Sequence, residues 1–406
     1  MHYDLIIIGM GLSGLIAAKT AAEAGRKILI VGKGMGSLCL FGNTIDVLGN
    51  IPEGNRMRQG LSRWIEEHPD HPYSKVGVSG IVEALSSFTS LFPSPYSFHT
   101  IGEGNCLIPT GAGTFRPTYL IPITMAAGAS FNKTDTLIAG FGAFKDFYAC
   151  YVADQLGSRG VSLSLPEASH HTTATALSRL MENHSFRKSL GAEIKKHLDG
   201  ETRIGFPALL GIRDPFQVKK DLEDRTGCEC FEIPILPPSI PGMRIFNRFR
   251  EWLIRKGVTF LLGHSVSKAS LSGRRCEGIA ISNPPLSNFY SADRFILATG
   301  RFTGGGLAGD GKEIFEPIFH LPVAQPRSRE EWFGRSFFSD FPHPAHQAGL
   351  LTDPYLRPVD EKGGPLLENV WIAGSILAHH DSIGEKSREG IEIATGYKAA
   401  KHAIEG

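Results

Sequence analysis

The feature that most constrains this chain is a glycine spacing near its start, Gly9-x-Gly11-x-x-Gly14, set between two apolar runs. Asp4-Leu-Ile-Ile-Ile-Gly9 reads as a buried parallel strand. Leu12 to Ala24 reads as a helix stopped by Gly25, with Leu12, Leu15 and Ile16 on one face. At such a junction Gly9 permits the tight turn, Gly11 lets the backbone approach a phosphate, and Gly14 lets helix and strand pack closely. The helix then aims unpaired N–H groups, and about half a positive charge, at whatever lies before it. A phosphate-bearing cofactor is the direct implication; the alternative is a glycine turn kept only for packing. Lys27-Ile-Leu-Ile-Val31 completes a strand, helix, strand unit whose strands are neighbours in a parallel sheet.

In sheets of this kind an acidic residue usually closes the second strand and grips the adenosine ribose. Here that position is Gly32, followed by Lys33. The phosphate site is intact, but the case for an adenine dinucleotide weakens, because a cofactor ending at its own phosphate needs no such carboxylate.

Composition narrows the field further. A chain of 406 residues with 42% hydrophobic and 20% charged residues is an ordinary folded protein of one large or two interleaved domains. Its net charge of +1 offers no general field for nucleic acid or an anionic membrane, so any anion is bound locally. Cys39, Cys106, Cys150, Cys228, Cys230 and Cys276 lack a repeated C-x-x-C spacing, and no charged leader precedes a cleavable apolar run, which fits a reducing cytoplasm. Cys228 and Cys230 read as two ordinary thiols in a loop rather than as metal or cluster ligands. No stretch reaches the roughly 18 apolar residues of a membrane span.

Further along, Asp146 to Leu156 reads as a helix leading into a strand at Val161 to Leu165, and Thr173 to His197 as polar helix. From Arg244 the pattern clears: a helix to Lys256, strands at Val258–Leu262, Val266–Leu271 and Cys276–Ser282, then Arg294-Phe-Ile-Leu-Ala298-Thr299-Gly300. A late strand, Val370-Trp-Ile-Ala373, precedes Gly374 and a helix from Glu389 to Ile404. The expected fold is α/β: a Rossmann-like parallel-sheet flavin-binding domain assembled from residues 1–60, 240–310 and 345–406, with a smaller inserted α+β domain from residues 61–239 and 311–344.

Two features select flavin over nicotinamide. Ile296-Leu-Ala298-Thr299-Gly300 resembles the strand and turn that approach the flavin in two-dinucleotide-binding-domain flavoproteins. Asn369-Val-Trp-Ile-Ala-Gly374 resembles their late strand, with Ser375 in place of the usual acid. The helix starting near Gly390 would point its positive end at the flavin pyrimidine.

Less common strings extend the likeness over nearly the whole chain. They include Asn43-Thr-Ile-Asp46, Gly113-Thr-Phe-Arg116-Pro117-Thr118, Lys145-Asp146-Phe147-Tyr148, Pro237-Pro-Ser-Ile-Pro-Gly242-Met-Arg244, Gly304-Gly-Gly-Leu307 and Leu351-Thr-Asp353. In these the sequence resembles the B-subunit family of anaerobic glycerol-3-phosphate dehydrogenase. The resemblance implies an FMN-binding flavoprotein subunit, with FAD as the alternative. It would serve a complex that oxidises sn-glycerol 3-phosphate to dihydroxyacetone phosphate and passes electrons to a quinone. A sister flavoprotein subunit and an iron–sulfur subunit would be its partners, the latter holding it at the inner face of the cell membrane. Where the family has a glycine-rich run after the last strand, this chain has His379-His380-Asp381-Ser382.

The cofactor contacts implied are Gly9, Gly11, Leu12, Ser13, Gly14, Gly32, Lys33, Thr44, Thr299, Gly300, Gly374 and Ser375. Oxidising an alcohol at a flavin also calls for a base and for cations on the substrate phosphate. His320, His379 and His380 are the candidate bases, and Arg116, Arg244 and Arg301 the candidate phosphate ligands, each weighed against a structural histidine or an internal ion pair. His343 and His346 lack the helical spacing of a metal site, and Gly263-His-Ser265-Val-Ser267 lacks the closing glycine of a hydrolase elbow. Whether this subunit oxidises the substrate or relays electrons stays open, as do a stand-alone fumarate-reductase-like enzyme acting on a small carboxylate and a scaffold without cofactor.

Overall fold

The computed structural model describes residues 2–52, 54–168, 172–283, 286–336 and 342–405, with side chains 282–287 excluded. Residues 169–171 and 337–341, both within the stretches expected to form the insert, lie outside the described residues.

The chain divides into two compact units. The first gathers residues 1–37, 58–91 and 246–406, the second residues 38–57 and 92–245. Residues 61–91 and 311–344, expected in the insert, fall in the first unit. The helix Pro72–Thr89 packs on the C-terminal helix, Arg388–Glu405, and Lys75 donates to the Thr352 carbonyl at 2.7 Å. Residues 38–57 go the other way, because Ile45 bridges Leu120 and Asn105 donates to the carbonyls of Leu48 and Ile51.

The first unit is built on a seven-stranded sheet. Strand β1 (His2–Ile8) lies between β2 (Ile28–Gly32) and the long strand Leu286–Leu297, parallel to both, and Thr259–Leu262 adds in parallel outside β2. The long strand is shared: its first half pairs antiparallel with Arg275–Asn283, itself paired with Ser265–Ser272, while Phe295–Leu297 pairs in parallel with the late strand Val370–Ile372. Strands β1 and β2 are buried on both faces along most of their length, which is why they read as unbroken apolar runs. Helix α1 (Leu12–Glu23) is buried along Leu12–Ala21 rather than on one face, since the C-terminal helix packs on it too. A Cβ on Gly396 would stand 2.4 Å from the Ser13 carbonyl oxygen, so that glycine sets how closely the two helices approach.

The second unit has a four-stranded sheet in the order Glu229–Ile233, Arg203–Pro207, Thr136–Phe141, Arg159–Leu163, parallel throughout, with helices and two antiparallel ribbons beside it. Its core includes Phe144, Phe186, Phe206 and Phe231. Cys230 lies inside the first of these strands and Cys228 just before it, both buried and free, so the expected loop is a strand edge.

Candidate functional site

The first unit's site forms where β2, β1, the long strand and the late strand all end. Gly9 has a positive φ of 118°, and a Cβ there would stand 2.2 Å from the Ala298 carbonyl oxygen. A Cβ on Gly14 would be 2.0 Å from the Gly9 oxygen, so the third glycine is fixed by helix-on-turn contact. Gly11 differs: a Cβ there would meet nothing within 4 Å. Gly11 caps α1 with extended backbone and no side-chain hydrogen bond, and the first turn carries no acidic residue. The turn therefore presents open space and unpaired helix N–H groups on one side, the shape and polarity a phosphate needs.

Parallel pairing brings the other predicted contacts to the same edge. A Cβ on Gly374 would be 2.4 Å from Ser13 Oγ, and Gly374 donates its N–H to Thr395 Oγ1 at 2.8 Å. Ser375 Oγ lies 3.5 Å from the Cβ position of Gly300. Gly304 and Gly306 fold back onto Thr299 and Gly300, their Cβ positions 2.1 and 1.9 Å from those carbonyl oxygens, while Lys33 Nζ is 3.7 Å from the Cβ position of Gly305. Thr299 Oγ1 is buried with no hydrogen-bond partner among the described residues, an atom a ligand hydroxyl could satisfy. Open turn, orphan hydroxyl and free helix terminus fit a flavin bearing a phosphate.

Gly32 is crowded by Met10. A Cβ there would be 3.0 Å from Met10 Cγ and 3.1 Å from Met10 N, a tight fit against Met10. Thr44 lies in the second unit, donating to Asp46 at 3.0 Å.

The three predicted arginines prove to be internally engaged. Arg244 is buried and forks onto Glu232 with two bonds of 2.8 Å, while its Nε donates to the Gly211 carbonyl, also at 2.8 Å. Burial opposes its charge, yet Glu232 and Tyr96 outweigh that and leave its pKa raised. Arg116 pairs with buried Asp46. Arg301 donates to the carbonyls of His346, Leu377 and His380, and burial lowers its pKa to about 10. Arg244 is thus forked onto a buried carboxylate and Arg301 onto backbone carbonyls, partners that lie inside the fold.

Among the predicted bases, His320 and His379 are exposed and hold positive φ angles of 58° and 63°. His380 is fully buried, its Nδ1 3.1 Å from Arg301 Nη2 and its Nε2 without a partner among the described residues. Burial, then Arg301 and His71, push its pKa well below the usual imidazole value, so it resists protonation and makes a poor base. No group of three metal-ligating side chains occurs among the described residues, and no helix among them is long and apolar enough to cross a membrane.

Sequence reasoning missed two residues beside the glycine turn. Ser37 follows Gly36, whose Cβ position is 3.1 Å from Gly11 Cα, and Ser37 Oγ donates to Glu392 Oε1 at 2.9 Å. Glu392 is buried near the start of the C-terminal helix. Its signal was an acid inside the apolar run Ile391-Glu392-Ile393-Ala394.

Fold and site together define a Rossmann-like flavoprotein. The family model described as FAD binding domain matches residues 4–386. A Halobacterium salinarum protein, named as the probable B subunit of anaerobic glycerol-3-phosphate dehydrogenase, is 32% identical, the match covering 99% of this chain and 98% of that one. The corresponding B subunit of Vibrio cholerae is 29% identical over 100% of this chain and 97% of its own. The chain belongs to the B-subunit family of anaerobic glycerol-3-phosphate dehydrogenase, within the FAD-binding-domain flavoproteins.

Proposed function

We propose that this chain is the FMN-carrying subunit of a multi-subunit, quinone-linked dehydrogenase that oxidises sn-glycerol 3-phosphate to dihydroxyacetone phosphate. The observation that carries the reading is the open glycine turn before α1, in a chain aligned end to end with its B-subunit relatives. FMN over FAD is supported by Gly32, which leaves the end of β2 without a carboxylate for an adenosine ribose. When bound, the flavin supplies a two-electron acceptor for alcohol oxidation. The chain's own residues do the holding: N–H groups of Leu12, Ser13 and Gly14 meet the phosphate, and Thr299 and Ser375 offer hydroxyls to the ribityl chain.

The relatives' designation as one lettered subunit of a dehydrogenase supports partner subunits. Our reading is a sister flavoprotein, and an iron–sulfur subunit that keeps the assembly at the inner membrane face. Within it this subunit relays electrons rather than binding substrate, a division supported by the engagement of Arg244 and Arg301. The test is to purify the complex and look for flavin absorbance near ~450 nm. The released pigment is then identified by chromatography, and glycerol 3-phosphate is compared with succinate as reductant. A colourless subunit, or reduction by succinate alone, would overturn the proposal.

A further inference from the structure

The wall of the glycine turn contains a carboxyl group where a phosphate cradle has least use for negative charge. Glu392 accepts from Ser37 Oγ at 2.9 Å through Oε1 and 3.2 Å through Oε2. Ser37 adjoins Gly36, where a Cβ would stand 3.1 Å from Gly11 Cα. On the other side, Glu392 Cγ is 3.9 Å from the Cβ position of Gly374, the same position that is 2.4 Å from Ser13 Oγ in the first turn of α1. The Glu392 side chain thus meets both Ser37, next to the Gly36 that approaches Gly11, and Gly374, which approaches Ser13. Glu389, one turn earlier, is also buried and has an oxygen, Oε2, with no hydrogen-bond partner among the described residues.

We propose that Glu392 is the proton-holding wall of the cofactor-phosphate cradle: it must be a neutral acid for the phosphate to seat, so flavin binding and proton uptake are one linked event. This inference rests on the flavin reading above. The charged groups on the elements packed against the helix are otherwise engaged or distant. On α1, Lys19 pairs with Glu23 at 2.7 Å. On the helix Pro72–Thr89, Lys75 binds Thr352, Glu83 is exposed and buried Tyr73 reaches the Ser387 carbonyl at 3.5 Å, while His71 at its cap binds Glu385 at 3.1 Å. On the long strand, Arg294 is level with Leu5 and Asp293 meets His2, both far from the turn. The late strand has none, and Lys33 follows β2. Burial raises the Glu392 carboxyl to about 7, with Glu389 adding to the shift and Arg388 opposing it.

The sign follows from linkage. Below pH 7 Glu392 is neutral and affinity is full; above it, seating the phosphate requires a proton from solvent, and affinity falls up to tenfold per unit. The full-length chain, stripped of flavin, is titrated with FMN from pH 7 to 9, with fluorescence quenching as the readout. The FMN phosphate, whose second pKa is about 6, is almost wholly dianionic over that range. The dissociation constant should rise about fiftyfold between those pH values, given a free-protein pKa of about 7. Riboflavin, which lacks the phosphate, should bind with no such dependence. E392Q should hold FMN equally across the range. Ser37→Ala, which removes a bond to the charged form, should move the break to higher pH, and this arm stands even if E392Q does not fold. FMN affinity that stays constant with pH in the wild type, or riboflavin falling in parallel, overturns the inference alone. Failure of FMN to bind at any pH overturns the FMN reading and this inference with it.

Discussion

Replacing Arg244 by methionine tests the claim that this arginine belongs to the interior of the second unit rather than to a substrate site. Its two parallel bonds to Glu232, 2.8 Å each, lie in a setting where Arg244 is 4% and Glu232 1% exposed. Without Arg244 the carboxylate keeps two donors, the Leu210 N–H at 3.0 Å and Asn43 Nδ2 at 3.3 Å, so part of its charge stays satisfied. Breaking a buried pair from one side costs about 3–5 kcal/mol, and the two remaining donors put this case near the lower figure. Adding Glu232→Gln removes the stranded charge while keeping an acceptor for Leu210, so the double variant should recover more than about 1 kcal/mol of the loss. The assay is urea unfolding at pH 7 followed by circular dichroism, with the Michaelis constant for glycerol 3-phosphate measured in the intact complex. A single-variant loss under about 1 kcal/mol, or a double variant no better than the single, would refute the buried-pair argument. A large rise in Michaelis constant with stability intact would refute the relay reading.

Gly11→Ala should cost only about 0.5–1 kcal/mol, the difference between glycine and alanine as an N-cap, because its methyl meets open space, yet should lower flavin occupancy. Gly9→Ala should instead cost about 2 kcal/mol or more, since its Cβ collides with Ala298 O at a strained φ; thermal melts and flavin-to-protein absorbance ratios separate the two. Stability should fall on acidification below about pH 6.5, by up to about 1.4 kcal/mol per unit, because the unfolded His380 takes up a proton that the folded one refuses. Urea midpoints from pH 7.5 to 5.5 measure this, and H380Q should flatten the slope. In thiol labelling of the folded chain, exposed Cys150 should react first. Cys276, its pKa pushed up to about 12 by burial, and buried Cys230 should wait for unfolding.

The sequence by itself determined the parts of the site made of local backbone. Strand, glycine turn and helix lie within some twenty residues, and their periodicity and φ requirements can be read without knowing any distant contact. The late strand and the Thr299-Gly300 turn were legible for the same reason, as apolar runs ending in glycine. Tertiary structure alone decided where the charges went. Arg244, Arg301 and Arg116 look alike along the chain, but each meets its partner by folding: Glu232 across a strand edge, carbonyls of a loop some 45 to 79 residues away, and Asp46 70 residues earlier. Met10 crowding Gly32, Ser37 meeting Glu392, and residues 311–344 falling in the first unit are of the same kind. Local geometry is written into residue type and spacing; the fate of a long polar side chain depends on which low-dielectric neighbours surround it, and only the packed chain specifies those.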